Sequence, residues 1–235
     1  YTAGAQKFPA LLAEMAAAER YIHLMYLIWE QDELTARVTE VLLDRLAAGV
    51  KVHILYDWFS CLPYKKDELK RLAAAGALVR PCYRRLRQIN YRNHMKMVII
   101  DGRSVYSGGM NMGQEYIDGG PRFDVWRDTS FRLSGPAVAP YLMLFASTWL
   151  YTGGKEDLAT DFMPPATEHH RHEGTPVQVL HSSVMTTFKT IRDVFITALT
   201  NARERVWIQS PYFVPDEPLM TAMCTAAAGG VDVRF

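Results

Sequence analysis

Two continuous apolar runs near the start of the chain enclose one segment of helical periodicity. The runs are YIHLMYLIW at 21–29 and VKVHILY at 50–56, and residues 33–48 between them repeat apolar side chains at intervals of three and four. A continuous apolar run is typical of a strand that is buried on both faces of a sheet. Strand, helix and strand in this order predict a βαβ unit, in which the strands are parallel and the crossover is right-handed.

The sequence that follows adds antiparallel strands to this unit. The dipeptide Asp101-Gly102 is favoured in hairpin turns, so residues 92–100 and 103–107 are predicted to be paired strands. Spacing predicts helices at 6–20, 65–75 and 137–150, and strands at 77–81 and 123–133. The predicted fold class is therefore α/β, with a mixed β-sheet flanked by helices.

The pattern of the first third then begins again. RVWIQSPYFVPDE at 205–217 resembles RYIHLMYLIWEQDE at 20–33, and GGVDVRF at 229–235 resembles AGVKVHI at 48–54. The period, near 180 residues, is much longer than that of a solenoid and indicates a domain duplication.

This duplication predicts the domain organisation. We expect a first domain at 1–152, a linker at 153–175 that contains Gly and Pro, and the beginning of a second, duplicated domain at 176–235. The second domain is predicted to contain a strand at 176–180 and helices at 185–203 and 219–228. The chain starts without Met and stops in a strand-like segment, so we expect a piece of a longer protein.

The composition argues against several functional classes. Lys and Arg number 26 against 25 for Asp and Glu, so the net charge of +1 does not favour a nucleic-acid binder. Three widely spaced cysteines without a CxxC pair support neither a zinc knuckle nor a disulfide framework, and they favour a reducing compartment. The longest apolar run is far shorter than the ~20 residues of a membrane-spanning helix.

NHMKMVIIDG at 93–102 places polar side chains in an otherwise apolar strand. Residues two apart on a strand project from the same face, so His94 and Lys96 are expected to point in the same direction. By itself, such a pair is more typical of an exposed strand face than of an active site.

The segment SGGMNMG at 107–113 follows the predicted return strand. Gly108 and Gly109 are expected to leave backbone amides uncovered, so that an anion can approach closely, and Asn111 adds a side-chain donor. A neutral imidazole can attack phosphorus, while a lysine and amide donors hold the phosphoryl oxygens. This chemistry requires neither a metal nor a cofactor, and we expect none.

HMKMVIID together with SGGMN resembles the HxKx4D…GGxN signature of the phospholipase D superfamily. YRNHMKMVIIDGRSVYSGGMNMGQEY, VWRDTSFRLSGPAV and IQSPYFVPDEPL resemble the bacterial cardiolipin synthases, and the similarity extends over nearly the whole chain. The resemblance implies a phospholipase D-like fold. It also implies two motifs that meet at a pseudo-twofold axis, of which this chain contains one. The second is expected about 40 residues beyond Phe235.

The resemblance also implies roles for individual residues. One histidine attacks the phosphodiester and becomes a phosphohistidine, while the other protonates the leaving alcohol and activates the incoming one. His94 would be either of these two, and Lys96 and Asn111 would hold the phosphate. Asp101 would tie the hairpin rather than take part in the chemistry. An acid on the following strand usually orients the histidine, and Asp128 is the prediction, with Asp124 and Glu115 as rivals.

Three functions remain open at this point. The first is transfer of a phosphatidyl group between two phosphatidylglycerols, which makes cardiolipin and releases glycerol. The second is a phosphodiesterase or nuclease of the same superfamily that uses water as the acceptor. The third is a non-catalytic module at a membrane surface. Because only one motif is present, we expect this chain alone to be inactive or nearly so.

The first function determines the expected partners and location. The partners are anionic phospholipid, above all phosphatidylglycerol, a membrane surface, and the second motif from the rest of a full-length chain, rather than nucleic acid. The location would be the bacterial inner membrane, at its cytoplasmic face, with the protein peripheral or anchored by segments absent from this chain.

Other polar and aromatic groups have a less specific interpretation. HHRH at 169–172 is interpreted as a solvated loop rather than a metal site. The basic run Arg80, Arg84, Arg85, Arg87 and Arg92 is either a solvated loop or a collar that steers an anionic headgroup or a nucleic-acid backbone. Aromatic residues near predicted strand ends either belong to the core or line a channel; they are Trp29, Tyr56, Trp58, Phe59, Tyr64, Tyr212 and Phe213.

Overall fold

The computed structural model describes residues 1–84, 88, 90–122, 124–163 and 174–235. They form two compact units, Tyr1–Val179 and Leu180–Phe235. The helices of the first unit are α1 (Gly4–Ala16), α2 (Glu33–Ala47), α3 (Asp67–Ala74), α4 (Glu115–Asp118), α5 (Val138–Tyr151) and α6 (Leu158–Phe162). Its strands are β1 (Tyr21–Tyr26), β2 (Lys51–Asp57), β3 (Leu78–Cys82), β4 (Met97–Ile100), β5 (Ser104–Gly108) and β6 (Ser130–Ser134).

A six-stranded sheet organises the first unit, in the order β3-β2-β1-β4-β5-β6. β1, β2 and β3 are parallel, with Tyr21 opposite Lys51, whereas β4, β5 and β6 continue the sheet in antiparallel pairs. α2 connects β1 to β2. The predicted βαβ unit and the mixed sheet are therefore confirmed.

Helices cover both faces of this sheet. Every residue of β1 is buried. Ile22 and Leu24 belong to the hydrophobic cluster that contains Phe8 and Leu11 of α1. Tyr21 and Met25, which point to the opposite face, belong to a second cluster with Phe145 and Trp149 of α5. This two-sided burial explains why β1 has an uninterrupted apolar sequence.

The ends of α2 are determined by local chemistry. The Asp32 carboxylate accepts a hydrogen bond from the Thr35 amide at 2.9 Å, and the Thr35 hydroxyl accepts one from the Asp32 amide at 3.0 Å. This reciprocal arrangement satisfies amides that the first turn leaves unpaired. Beyond the helix, Gly49 has a φ of +88°, a conformation that favours glycine, and it directs the chain into β2.

The hairpin of β4 and β5 turns where the sequence predicts it. Asp101 and Gly102 have φ values of +53° and +69°, the pair of positive values that a tight hairpin turn of this kind requires. The strand predicted at 92–100 begins only at Met97, because the preceding backbone is bonded elsewhere. The Asn93 amide donates to the Asp57 carboxylate at 2.7 Å, and the Met95 amide to the Asn93 side chain at 3.2 Å.

One further predicted strand and the predicted linker differ from the structure. The strand predicted at 123–133 is shorter, since only Ser130–Ser134 pairs with β5. Part of the segment predicted as a linker forms α6, whose Leu158 is buried against the core of the first unit. The Tyr21 hydroxyl also donates to the Phe162 carbonyl at 2.6 Å. The loop prediction is therefore wrong for residues 158–162, and the domain boundaries stay a prediction.

The second unit consists of α7 (Thr190–Asn201), β7 (Arg205–Trp207), α8 (Glu217–Ala228) and β8 (Asp232–Arg234). β7 and β8 are parallel, with Arg205 opposite Asp232. The order helix, strand, helix, strand repeats that of α1, β1, α2 and β2, in agreement with a duplication. Residues 176–180, predicted as a strand, pair with no strand among the described residues, and Pro176 has no amide hydrogen to contribute.

None of the helices in the described ranges is both long enough and apolar enough to cross a bilayer.

Candidate active site

His94 and Lys96 lie side by side just before β4. Nζ of Lys96 is 3.2 Å from Nδ1 of His94 and donates to the His94 carbonyl oxygen at 2.7 Å. His94 is exposed, whereas Lys96 is only 4% exposed. The predicted pairing of the two side chains is confirmed, although the segment that carries them is not a strand.

The carboxyl ends of the parallel strands hold this segment in place. Asp57, the last residue of β2, is fully buried, and its carboxylate accepts from the amides of Asn93 at 2.7 Å and Ser60 at 2.9 Å. The Asn93 side chain donates to Sγ of Cys82, the last residue of β3, at 3.4 Å. Sequence reasoning missed Asp57; its position at the end of a buried strand was the available signal.

The surroundings favour the uncharged forms of both side chains. Desolvation, followed by the charge of Lys96, lowers the pKa of His94 below its ordinary value, while Asp57 acts in the opposite direction. Desolvation lowers the pKa of Lys96 to about 8, and Asp128 opposes that shift. His94 is therefore mainly a neutral imidazole at pH 7, the form that can act as a nucleophile.

Another segment of the chain passes so close to Gly108 and Gly109 that neither position has room for a side chain. A Cβ on Gly108 would overlap the backbone of Thr129 and Ser130, and one on Gly109 would overlap the Asp128 carboxylate. The Gly109 amide donates to the Thr129 carbonyl at 2.9 Å. The expectation of an open amide is therefore wrong for Gly109. A phosphate contact at Gly108 stays a prediction.

The side chain of Asn111 is 6% exposed and held from both ends. Its Oδ1 accepts from the Ile28 amide at 3.3 Å, and its Nδ2 donates to the Tyr116 hydroxyl at 2.9 Å. An amide group carries two N–H bonds, and the second hydrogen of Nδ2 has no partner among the described residues, so it is available to a ligand.

Asp101 lies at the far end of β4 from His94. Its carboxylate accepts from the amides of Glu19, Arg20 and Tyr21 at 2.8–2.9 Å and so attaches the hairpin to the start of β1. The four residues of β4, Met97–Ile100, lie between Asp101 and the segment that carries His94, and they span roughly 13 Å at 3.3 Å per residue. This position agrees with the structural role that the sequence suggested.

Asp128 lies beside Gly109 and accepts from the Thr129 amide at 2.6 Å. Its charge acts on Lys96, but no hydrogen bond joins it to His94 among the described residues. Asp124 is exposed, Asp128 is partly buried, and Glu115 is the first residue of α4. The orienting role predicted for Asp128 stays a prediction.

Lys7 of α1 is a component of the site that sequence reasoning did not single out. It is 1% exposed, and its Nζ contacts the Met110 carbonyl oxygen at 3.5 Å, within the loop that carries Gly109 and Asn111. Burial lowers its pKa to about 7, with Asp128 opposing this shift and Lys96 reinforcing it. The available signal was its place four residues before Leu11, on the apolar stripe of α1.

Some residues of the basic run and some of the aromatic residues form contacts within the first unit. Arg80 donates to the Thr152 carbonyl at 2.8 Å, and the Arg92 guanidinium lies 3.8 Å from the centroid of the Phe59 ring. Arg80 and Arg84 line an open cleft of about 410 Å³. Trp29 is buried in the core, whereas Tyr212 of the second unit is exposed. Whether the run steers a ligand stays a prediction.

Arg85, Arg87 and the HHRH segment at 169–172 lie outside the described residues. Within the described ranges, no three His, Cys, Asp or Glu side chains converge in a way that could hold a metal ion.

Comparison with known proteins identifies the family. The family described as "Cardiolipin synthase, PLD-like domain" matches residues 11–120. A cardiolipin synthase of Geobacillus kaustophilus is 34% identical over 100% of this chain and 47% of its own length, and one of Listeria monocytogenes is 36% identical over 98% and 49%. This chain therefore spans about half the length of the curated relatives that it matches.

A solved structure shares the fold. The phosphatidylserine synthase of Haemophilus influenzae superposes with a TM-score of 0.72 at 13% identity, over 99% of this chain and 59% of that one. The family match and the curated relatives indicate the same family, and the mixed sheet has the fold of the solved structure. The chain belongs to the phospholipase D superfamily, and its phospholipase D-like domain is of the cardiolipin synthase kind.

Proposed function

We propose that this chain supplies one half of an active site that transfers a phosphatidyl group from one phosphatidylglycerol to another. The observation that carries the proposal is the contact of Lys96 with His94, 3.2 Å from Nζ to Nδ1, at the carboxyl ends of the parallel strands. The cardiolipin synthases among the relatives support this choice of reaction.

His94 is the nucleophile in this proposal. One ring nitrogen forms a bond to phosphorus, and the bond from phosphorus to the oxygen of the glycerol headgroup breaks. The glycerol oxygen takes a proton, and free glycerol leaves. A hydroxyl of the second phosphatidylglycerol then attacks the phosphohistidine and gives its proton to the group that protonated the glycerol, so that cardiolipin forms, the bond from nitrogen to phosphorus breaks and the imidazole is released. The lowered pKa of His94 supports this assignment, because a group that acts as the acid must be protonated at neutral pH.

Lys96 and Asn111 hold the phosphoryl oxygens. The ammonium of Lys96 is buried, so its interaction with a developing negative charge is stronger than it would be in water. The free hydrogen on Nδ2 of Asn111 is a second donor. Asp128, next to Gly109, balances the charge of Lys96 and is the candidate for orienting the imidazole once substrate is bound.

The acid that protonates the leaving glycerol comes from a second motif. The repeat of α1-β1-α2-β2 by α7-β7-α8-β8 supports a duplicated architecture, in which further sequence supplies that motif. We infer that the chain by itself turns over little or no substrate. The anionic headgroup and the acyl chains of the substrate place the reaction at a membrane surface, which we propose is the cytoplasmic face of the bacterial inner membrane.

The test uses the full-length product of the gene that encodes this chain. It is incubated without added metal in detergent micelles of labelled phosphatidylglycerol, and the products are identified by mass. Cardiolipin and glycerol in equal amounts are expected. His94→Asn should abolish both products, whereas Lys70→Ala on the exposed surface of α3 should leave them unchanged.

Other products would point to other functions. Phosphatidic acid without cardiolipin would show that water is the acceptor and would replace the transferase with a phosphodiesterase. Cleavage of single-stranded DNA or RNA, with no reaction on lipid, would contradict a lipid substrate. Folded protein that acts on none of these substrates would favour the non-catalytic membrane module.

A further inference from the structure

A lysine without solvent access lies beneath the loop that carries Asn111. Lys7 is 1% exposed although its helix, α1, has a solvent-facing side. An ammonium without a carboxylate partner is costly to bury, and ionisable groups perturbed in this way are concentrated at functional sites. Nothing in the reaction proposed above uses Lys7.

The contacts of Lys7 connect it to the phosphate site. Its Nζ points at the Met110 carbonyl oxygen at 3.5 Å and lies 4.8 Å and 5.7 Å from the ring centroids of Phe8 and Tyr26. Met110 lies between Gly109, which is packed against Asp128, and Asn111. The loop is therefore held by Asp128 on one side and by Lys7 on the other.

The charged and aromatic groups around Lys7 come from four parts of the first unit. Asp128 before β6 attracts the ammonium, and Lys96 before β4 repels it. Tyr26 of β1 presents the face of its ring. α4, which packs on α1 where Gly4 meets the Tyr116 carbonyl, carries the acids Glu115 and Asp118.

We propose that Lys7 is a positioning residue of the phosphate site. Its buried side chain holds the Met110 carbonyl, and Lys7 gains positive charge, next to Lys96 and Asp128, when a phosphodiester binds. This inference rests on the proposed phosphate site. It assigns to α1 a role in ligand binding that does not require contact with the ligand.

A measurable consequence follows from the environment of Lys7. The pKa of Lys7 is lowered to about 7 in the free protein, so a large fraction is neutral between pH 7 and 8. A bound dianion adds negative charge on the side of Lys96 and Asp128, which favours the ammonium. Binding of an anion at pH 7.5 should therefore be accompanied by uptake of a proton from solution.

The test is calorimetric titration of the full-length product of the gene that encodes this chain with inorganic tungstate, a tetrahedral oxyanion that does not itself titrate at this pH. Titration in two buffers of different ionisation enthalpy gives the number of protons taken up. Wild-type protein should bind tungstate with net proton uptake at pH 7.5. Lys7→Met, which keeps the length of the side chain, should bind about tenfold more weakly and take up fewer protons. Lys70→Met is the matched control and should behave as wild type.

Each outcome decides one of the two proposals. If wild-type protein binds no tungstate, the phosphate site itself fails, and the role of Lys7 fails with it. If wild-type protein binds tungstate and Lys7→Met binds equally well with the same proton uptake, Lys7 only fills space and the inference is overturned. Should Lys7→Met not fold, NMR titration of Nζ in the wild-type protein decides. A pKa of Lys7 that rises with tungstate supports the role, and an unchanged pKa contradicts it.

Discussion

Nζ of Lys96 lies 3.2 Å from Nδ1 of His94 and 2.7 Å from the carbonyl oxygen of the same residue. A charged ammonium can only donate, so while Lys96 is protonated Nδ1 must be the acceptor and the ring proton lies on Nε2. In the free protein Lys96 therefore occupies one lone pair of the proposed nucleophile. A phosphate that draws Lys96 toward its own oxygens would release that lone pair.

This relationship predicts the tautomer and the pKa of His94. NMR of protein labelled with ¹⁵N-histidine should show a neutral His94 ring at pH 7, protonated on Nε2, with a pKa below 6.5. Lys96→Met removes the nearby positive charge and should raise that pKa, while Lys70→Met should not change it. A His94 ring that is doubly protonated at pH 7 would contradict the assignment of this residue as the nucleophile.

The rate of the full-length gene product should depend on pH in a bell-shaped manner. The rate rises as His94 loses its proton, at a pH below 6.5, and falls as Lys96 loses its proton near pH 8, well below the ordinary lysine value. Arginine stays charged throughout this range, so Lys96→Arg should lower the maximum and leave a descending limb that is set only by the acid of the second motif. Steady-state rates between pH 5 and 10 test this prediction, and a descending limb with the same midpoint in Lys96→Arg as in wild-type protein would show that Lys96 does not cause it.

Asp101 is expected to matter for stability rather than for chemistry. Asp101→Asn tolerates the positive φ but places an N–H donor against one of the three amides that the carboxylate now accepts from. The loss of charge-assisted hydrogen bonds should lower the free energy of unfolding by about 1–3 kcal/mol. Urea unfolding of Asp101→Asn and of Asp161→Asn, at an exposed carboxylate on α6, provides the comparison. Equal stability of the two variants would contradict the anchoring role.

Two buried histidines should make the first unit sensitive to acid. His23 of β1 is stacked on Tyr21 and Phe145 and lies next to His53 of β2. Burial lowers the pKa of His23 well below its ordinary value and that of His53 to about 4. Between pH 6.5 and 4 the unfolded chain binds protons that the folded chain does not, so stability is lost as the pH falls. For His53 alone the loss amounts to about 2–3 kcal/mol.

His23→Phe tests this sensitivity, since it keeps an aromatic ring in the stack but cannot be protonated. Its free energy of unfolding should fall less steeply between pH 6.5 and 4 than that of wild-type protein. His181→Gln, at a partly exposed position of the second unit, should retain the wild-type slope. An unchanged slope in His23→Phe would show that other groups cause the loss of stability.

Local patterns in the sequence predicted the parts of the fold that depend on local chemistry. The apolar runs on either side of α2 predicted the parallel strands, because a strand that is buried on both faces of a sheet has an almost continuous apolar sequence. Asp101 and Gly102 gave the hairpin, because few residues adopt two successive positive φ values. The sequence placed His94 next to Lys96 through an assumed strand, whereas hydrogen bonds from the Asp57 carboxylate and the Asn93 side chain hold the segment.

Contacts between residues far apart in the chain could not be predicted in this way. Asp57 and Asn93 are 36 residues apart, and Lys7 and Met110 are 103 apart. The Gly109 amide is used by the Thr129 carbonyl, so a glycine that suggested an anion site is explained in part by the close approach of two backbones. These features depend on how the helices and strands pack together, and no periodic pattern in a single sequence predicts that packing.

The most direct test of the proposed mechanism is detection of the covalent intermediate on His94. The full-length gene product is mixed with phosphatidylglycerol, quenched within milliseconds to seconds in alkali, in which the bond between nitrogen and phosphorus survives, and digested for mass spectrometry. The account predicts that the peptide containing His94 gains the mass of one phosphatidyl group and loses it as cardiolipin appears. Cardiolipin formed at normal rates with His94 unmodified at every time point, or an adduct on a different side chain, would contradict the account.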